Sequence, residues 1–226
     1  MTHSHGGKLT IYVDCVSPYS WFGFTNARNF RPQLQPYGIE VCIEPFFLGG
    51  ARNGVGNPWT PPPEAKAAFA QQDLDLTSEA LGLKVVRPKV FPISSLSAVR
   101  VARYVKDHYS AEEFEETFLG LVSGYWNKGI DISTIEGIRK ALEGVFSTED
   151  LGRIMHGSVE SGNKKRVIET TMAVGAFGAP WITAINAKLQ KRNWFGNDRW
   201  HQVFYHLGVP FTHLAITRPG TDKANL

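Results

Sequence analysis

The sequence predicts an α/β fold: a strand–helix–strand unit, a large all-helical insertion, and a closing strand–strand–helix unit. Three observations carry that prediction. Two short strand-like runs near the start, residues 8–15 and 38–47, bracket a helix-forming stretch at 21–30. From residue 94 to 174 the pattern is helical almost throughout. Beyond it, 181–185 and 189–195 read as the two strands of a hairpin, with a last helix over 197–207.

Taken in order, Leu9-Thr10-Ile11-Tyr12-Val13 is apolar enough for a buried strand, and 38–47 alternates well enough for a second. Strand, helix, strand implies parallel strands joined by a right-handed crossover. Residues 49–63 are rich in Gly, Asn and Pro and read as a loop. The helix over 94–108 puts Leu96, Val99, Val101, Ala102 and Val105 on roughly one face. Ser110-Ala111-Glu112-Glu113 is a capping box that opens a helix over 111–126. Helices over 133–145, 147–155 and 158–174 follow, the last stopped by Gly175, and Gly208 closes the final helix. No internal repeat is visible. This order is that of a thioredoxin fold split by a helical insertion. The expected division is a thioredoxin-like domain over 1–63 and 173–226, with the insertion over 64–172.

A chain of 226 residues suits one large domain or a domain with an insertion. No apolar run reaches the ~18 residues that a transmembrane helix needs, so no membrane partner is expected. Residues 1–7 lack the apolar stretch of a secretory signal. The net charge of +3 is mild, and only Lys164-Lys165-Arg166 are contiguous, most simply a solvated helix face. Nucleic acid is therefore not an expected partner, whereas a slightly basic balance suits a small anionic substrate. The two cysteines, Cys15 and Cys42, lie in separate strand-like segments. They form neither a redox dithiol nor a metal site, and read as buried thiols in a reducing compartment.

Ser17-Pro18-Tyr19-Ser20 is the most informative segment. It closes the first strand and opens the first helix, where thioredoxin-type redox proteins carry Cys-x-x-Cys. Serine cannot form a disulfide, yet a hydroxyl at a helix N-terminus sits where negative charge is favoured. Ser17 can cap the helix, and Pro18 at its first position sacrifices no hydrogen bond. The segment is suited to holding another molecule's sulfur.

Several motifs agree with one family. Asp14-x-x-Ser17-Pro18-Tyr19-Ser20-Trp21-x-Gly23, Ser95-Leu96-Ser97-Ala98-x-Arg100, Gly175-Ala176-Phe177-Gly178-Ala179-Pro180 and Phe195-Gly196-Asn197-Asp198-Arg199 resemble the kappa-class glutathione transferases over roughly residues 8–210. The bacterial 2-hydroxychromene-2-carboxylate isomerases share the pattern, and both groups look like relatives of the periplasmic disulfide oxidoreductases with the thiols removed. The resemblance implies glutathione as co-substrate, a small apolar electrophile or a peroxide as its target, a detoxifying role, and a homodimer. It assigns Ser17 to the glutathione thiolate. It implies that Ala179-Pro180 carries a cis bond and pairs with the cysteinyl part of glutathione. Asn197 and Asp198 would receive the γ-glutamyl end, with Asn197 standing where the family usually has serine. Asn57 and Lys66 would reach a glutathione carboxylate.

Alternatives stay open at this stage. One is glutathione-dependent isomerisation of a chromene-type aromatic carboxylate, and another is a non-catalytic glutathione- or peptide-binding module. Thiol–disulfide exchange is left only to Cys15 acting alone. Trp21, Phe22, Tyr125 and Trp126 have the spacing of core aromatics but could line an electrophile pocket. The ending Lys223-Ala224-Asn225-Leu226 looks like a peroxisomal address, with cytoplasm or mitochondria as the other expected locations.

Overall fold

The structure is a computed structural model and describes residues 6–212; the Lys-Ala-Asn-Leu ending lies outside the described residues. Four strands form one mixed sheet in the order β2-β1-β3-β4. β1 (Gly7–Val13) runs parallel to β2 (Ile39–Pro45). β3 (Trp181–Ile185) is antiparallel to both β1 and β4 (Lys191–Phe195). The expected strand–helix–strand and hairpin units are both present.

Helix α1 (Pro18–Leu34) links β1 to β2 and packs on the sheet face carrying Leu9, Ile11 and Val13. Its approach is close enough to require glycine at position 23. A Cβ there would stand 2.8 Å from Ile11 Cδ1 and 2.9 Å from Pro180 Cγ. The last helix, α9 (Trp200–Leu207), shares this face and meets α1 through Phe30, whose ring lies 5.0 Å from Trp200 and 4.9 Å from Phe204. Tyr12 and Trp181, register partners across β1 and β3, point to the opposite face, where Phe46, Ala51 and Ala176 complete a second small core.

Residues 48–54, expected to be loop from residue 49 on, form helix α2 (Leu48–Gly54). Gly49 and Gly50 look like loop residues, but they are glycines for packing reasons. The Phe47 ring lies against them, 2.9 Å and 2.7 Å from where their Cβ atoms would be. The Leu48 N–H at the start of α2 is satisfied from far away, by Asp14 Oδ2 at 2.8 Å.

Between α2 and β3 lie six helices: α3 (Glu64–Ala80), α4 (Leu96–His108), α5 (Ala111–Trp126), α6 (Ile135–Ala141), α7 (Thr148–Ser158) and α8 (Ser161–Val174). The capping box at Ser110 and Glu113 forms in full. α6 is shorter than its sequence pattern, with Thr134 as its cap. Of these, α3 and α5 pack onto α1, where the Phe24 ring meets Phe118 at 4.8 Å, and α6, α7 and α8 are held through α4, α5 and α2. The buried apolar cluster runs without a break from Leu9 and Ile11 in the sheet to Val101, Phe118 and Ile138 in the helical part.

Candidate functional site

The site gathers at the end of the sheet where β1 gives way to α1. Ser17 has extended backbone angles, φ −97° and ψ 120°, and caps α1 as expected, its Oγ accepting from the Ser20 N–H at 3.3 Å. The same hydroxyl donates to the carbonyl of Ala179 at 3.3 Å. Both contacts are long, so the hydroxyl proton can turn to a better acceptor at small cost. The Tyr19 N–H in the first turn of α1 bonds to none of the described residues. A hydroxyl proton, an unpartnered amide and the positive end of a 17-residue helix therefore converge beside Ser17.

Ala179-Pro180 is a cis peptide, as the resemblance implied. Pro180 packs on α1 at Gly23, and its carbonyl accepts the Gly196 N–H at 3.0 Å. The β3 and β4 ends are thereby tied beside the Ser17 turn. Ser17 and Ala179 are nearly covered, at 6% and 8% exposure.

Sequence reasoning left Asp14 without a role, and the structure gives it a central one. Its buried carboxyl accepts three hydrogen bonds: from Val16 N–H at 3.0 Å, from Leu48 N–H at 2.8 Å and from the Ser95 hydroxyl at 2.7 Å. Its carbonyl accepts the Ser17 N–H at 3.0 Å, and its N–H donates to Ser20 Oγ at 3.2 Å. Ser20 is thus an internal tie of the turn. Ser95, at the N-terminal cap position of α4, makes no capping bond and instead delivers its hydroxyl to Asp14. Burial pushes the Asp14 pKa above the usual carboxylate value, against the pull of its three donors. Burial, and then the neighbouring Asp14, push the Cys15 thiol well above its ordinary value. Cys15 is therefore a protonated core thiol at neutral pH, a poor nucleophile. Cys42 is half-buried on β2, its thiol donating to Glu40 at 2.9 Å.

The remaining candidates are placed differently. Asn197 does not open a helix: α9 begins at Trp200, after Gly196 at φ 93°. Its side-chain oxygen is occupied by Asn26 Nδ2 at 3.1 Å and Trp200 Nε1 at 3.3 Å, which tie α1 to α9. Asp198 is 73% exposed and pairs with Arg199 at 3.3 Å. Asn57 and Lys66 are exposed, in the segment after α2 and in the first turn of α3. Neither makes a hydrogen bond to Ser17, Ala179 or Asn197, and Lys66 forms no ion pair among the described residues. Tyr19, at the first turn of α1, reaches α3 by donating its hydroxyl to Asp73 at 2.7 Å. Trp21, Phe22, Tyr125 and Trp126 are all core residues, none more than 4% exposed.

Residues 8–208 match the family model of the DSBA-like thioredoxin domain. The chain belongs to that family. Among curated proteins it is similar to glutathione S-transferase kappa 2 of Caenorhabditis elegans, 26% identical over 90% of this chain and 92% of that one. Among solved structures it superposes on a 2-hydroxychromene-2-carboxylate isomerase with a TM-score of 0.66 at 18% identity, covering 89% of this chain and 94% of that one. It also superposes on the cytosolic disulfide reductase DsbM of Pseudomonas aeruginosa, solved with glutathione, with a TM-score of 0.57 at 10% identity and 88% and 93% coverage. The turn that joins β1 to α1 carries serines at 17 and 20, and Cys15, the cysteine next to it, is buried.

Proposed function

We propose that this protein is a glutathione transferase of the kappa type, which holds glutathione as its thiolate at Ser17 and lets it attack an apolar electrophile. The observation that carries the reading is the capping hydroxyl of Ser17, weakly engaged and lying beside the Ala179-Pro180 cis bond in a DSBA-like frame. The similarity to kappa-class enzymes and to a glutathione-bound reductase supports glutathione as the thiol.

The energetics are sufficient. Lowering a thiol pKa by about two units needs ~2.7 kcal/mol of preference for the anion. A helix terminus supplies about 0.3–1 kcal/mol, and a hydrogen bond to a charged group about 1.5–3 kcal/mol. Together the Ser17 hydroxyl and the α1 terminus reach the requirement, and neither does comfortably alone. In the reaction the glutathione S–H bond gives its proton to solvent, and the Ser17 O–H, keeping its own proton, turns from Ala179 O to donate a hydrogen bond to the sulfur. The thiolate forms the new carbon–sulfur bond, and the leaving group departs with its electron pair. Ala179 and Pro180 form the wall against the cysteinyl part. Asn57, Lys66, Asn197 and Asp198 are assigned to the two ends of the tripeptide, with Lys66 as a mobile point charge. Fixing those ends makes the attack effectively intramolecular. A homodimer belongs to the same reading and is tested by sedimentation of the purified chain.

Conjugation of a chlorodinitrobenzene-type acceptor tests the assignment. Wild type and Cys15→Ala are expected to turn over, and Ser17→Ala to be strongly impaired. Full activity of Ser17→Ala at neutral pH overturns the thiolate assignment. Glutathione binding without turnover by the wild type would identify a binding module instead.

A further inference from the structure

A second site lies in the helical part. A cleft of about 360 Å³ opens between α4, α6 and α7. Its polar lining contains no carboxylate: Arg100, Arg139 and His156, with Ser97 and with Ser158, whose hydroxyl is spent on the Met155 carbonyl. Arg100 spends only its Nε, on the carbonyl of Ser158 at 3.0 Å. The terminal nitrogens of Arg100, the whole Arg139 guanidinium, the His156 imidazole and the Ser97 hydroxyl bond to none of the described residues. Glu136 and Glu143 flank Arg139 on the side of a neighbouring cleft of about 390 Å³, but neither closes an ion pair with it. The floor is apolar, formed by Val101, Ile138 and Met155. Ile135 and Val159 stand at the rim, each 61% exposed.

We propose that this cleft binds an amphipathic anion: a carboxylate carried on an apolar chain or ring. Two guanidinium groups line this cavity with no carboxylate in its wall, which favours a positive potential inside it. Planar donor forks match a carboxylate in two-point fashion. The apolar floor and the two exposed aliphatic side chains at the rim are placed to cover the body of such a ligand. The volume falls within the usual range for small-molecule sites. Position also separates the two sites. In the Ser95-Leu96-Ser97-Ala98-x-Arg100 segment, Ser95 serves Asp14 and the Ser17 turn, whereas Ser97 and Arg100 face the cleft.

Calorimetric titration with decanoate, with decanol and inorganic phosphate as partial mimics, tests the proposal on the full chain. Decanoate is expected to bind, and decanol and phosphate each to bind at least about tenfold more weakly. Arg139→Glu, an exposed substitution that leaves the core intact, should weaken decanoate about tenfold or more, and Ile135→Ser about threefold. Saturating glutathione should leave decanoate binding unchanged, which separates this site from the one at Ser17. Absence of decanoate binding, equal binding of decanol or phosphate, indifference to Arg139→Glu, or competition by glutathione would each overturn it.

Discussion

The two flanks assigned to glutathione are built in opposite ways. The sulfur flank is buried and internally bonded: Ser17 touches Ser20 and Ala179, and Asp14 holds the turn from beneath. The peptide flank is mostly open: Asn57, Lys66 and Asp198 are exposed, Lys66 has no ion-pair partner among the described residues, and only Asn197 is engaged, by Asn26 and Trp200. The two flanks serve different kinds of energy. Chemistry at sulfur needs donors already fixed before the ligand arrives. Recognition of a solvated carboxylate needs only a charge within reach, and that charge stays cheap to keep in water.

Four substitutions test this contrast. Ser17→Ala should have the largest effect, lowering kcat/KM for conjugation about 10- to 100-fold, the worth of one hydrogen bond to an anion. A pH titration of bound glutathione should place its thiol nearer the free value in that variant. Gly23→Ala should come next. Its Cβ would meet Ile11 and Pro180 at under 3 Å, so a loss of about 1–3 kcal/mol in urea unfolding is expected. An unchanged midpoint would show that the cis-proline segment yields freely, contrary to a fixed sulfur flank.

Asp14→Asn should cost about 1–3 kcal/mol, because an amide nitrogen is turned toward donors. The pH dependence has a definite sign. The Asp14 pKa is raised in the folded state, so its contribution is fully present below the ordinary value of 3.8. It is lost as pH rises through the higher folded value. The stability of wild type relative to Asp14→Asn should therefore fall as pH increases across that window, and a rise would reverse the assignment. Lys66→Met should have the smallest effect, raising the KM for glutathione about two- to fivefold with kcat kept. Added salt should erase that difference. A large kcat effect from Lys66→Met would mean that the open flank also shapes the chemistry.

Much of the frame was legible because it is written in local patterns. Ser110 and Glu113 announce their capping box within four residues, and Gly175 and Gly208 stop their helices in left-handed geometry as expected. The Ser17 cap was legible for the same reason. Asp14 was not, since its partners Leu48 and Ser95 lie 34 and 81 residues away. Nor was α2, whose glycines answer to the Phe47 ring and whose first N–H answers to Asp14. Asn197 misled because asparagine caps helices well, yet here its oxygen is drawn to Asn26 and Trp200 by tertiary packing. The basic cleft was illegible because Arg100, Arg139 and His156 converge only once α4, α6 and α7 are assembled.

The hydrogen bond from Ser95 to Asp14 makes the two parts of this chain inseparable in engineering. Excising the helices would remove one of the three donors to a fully buried carboxyl directly beneath the serine turn. A graft of a foreign helical segment onto this sheet must therefore bring a hydroxyl to the place of Ser95. Without one, the recipient would keep its serine and its cis proline but lose the pin that aims them.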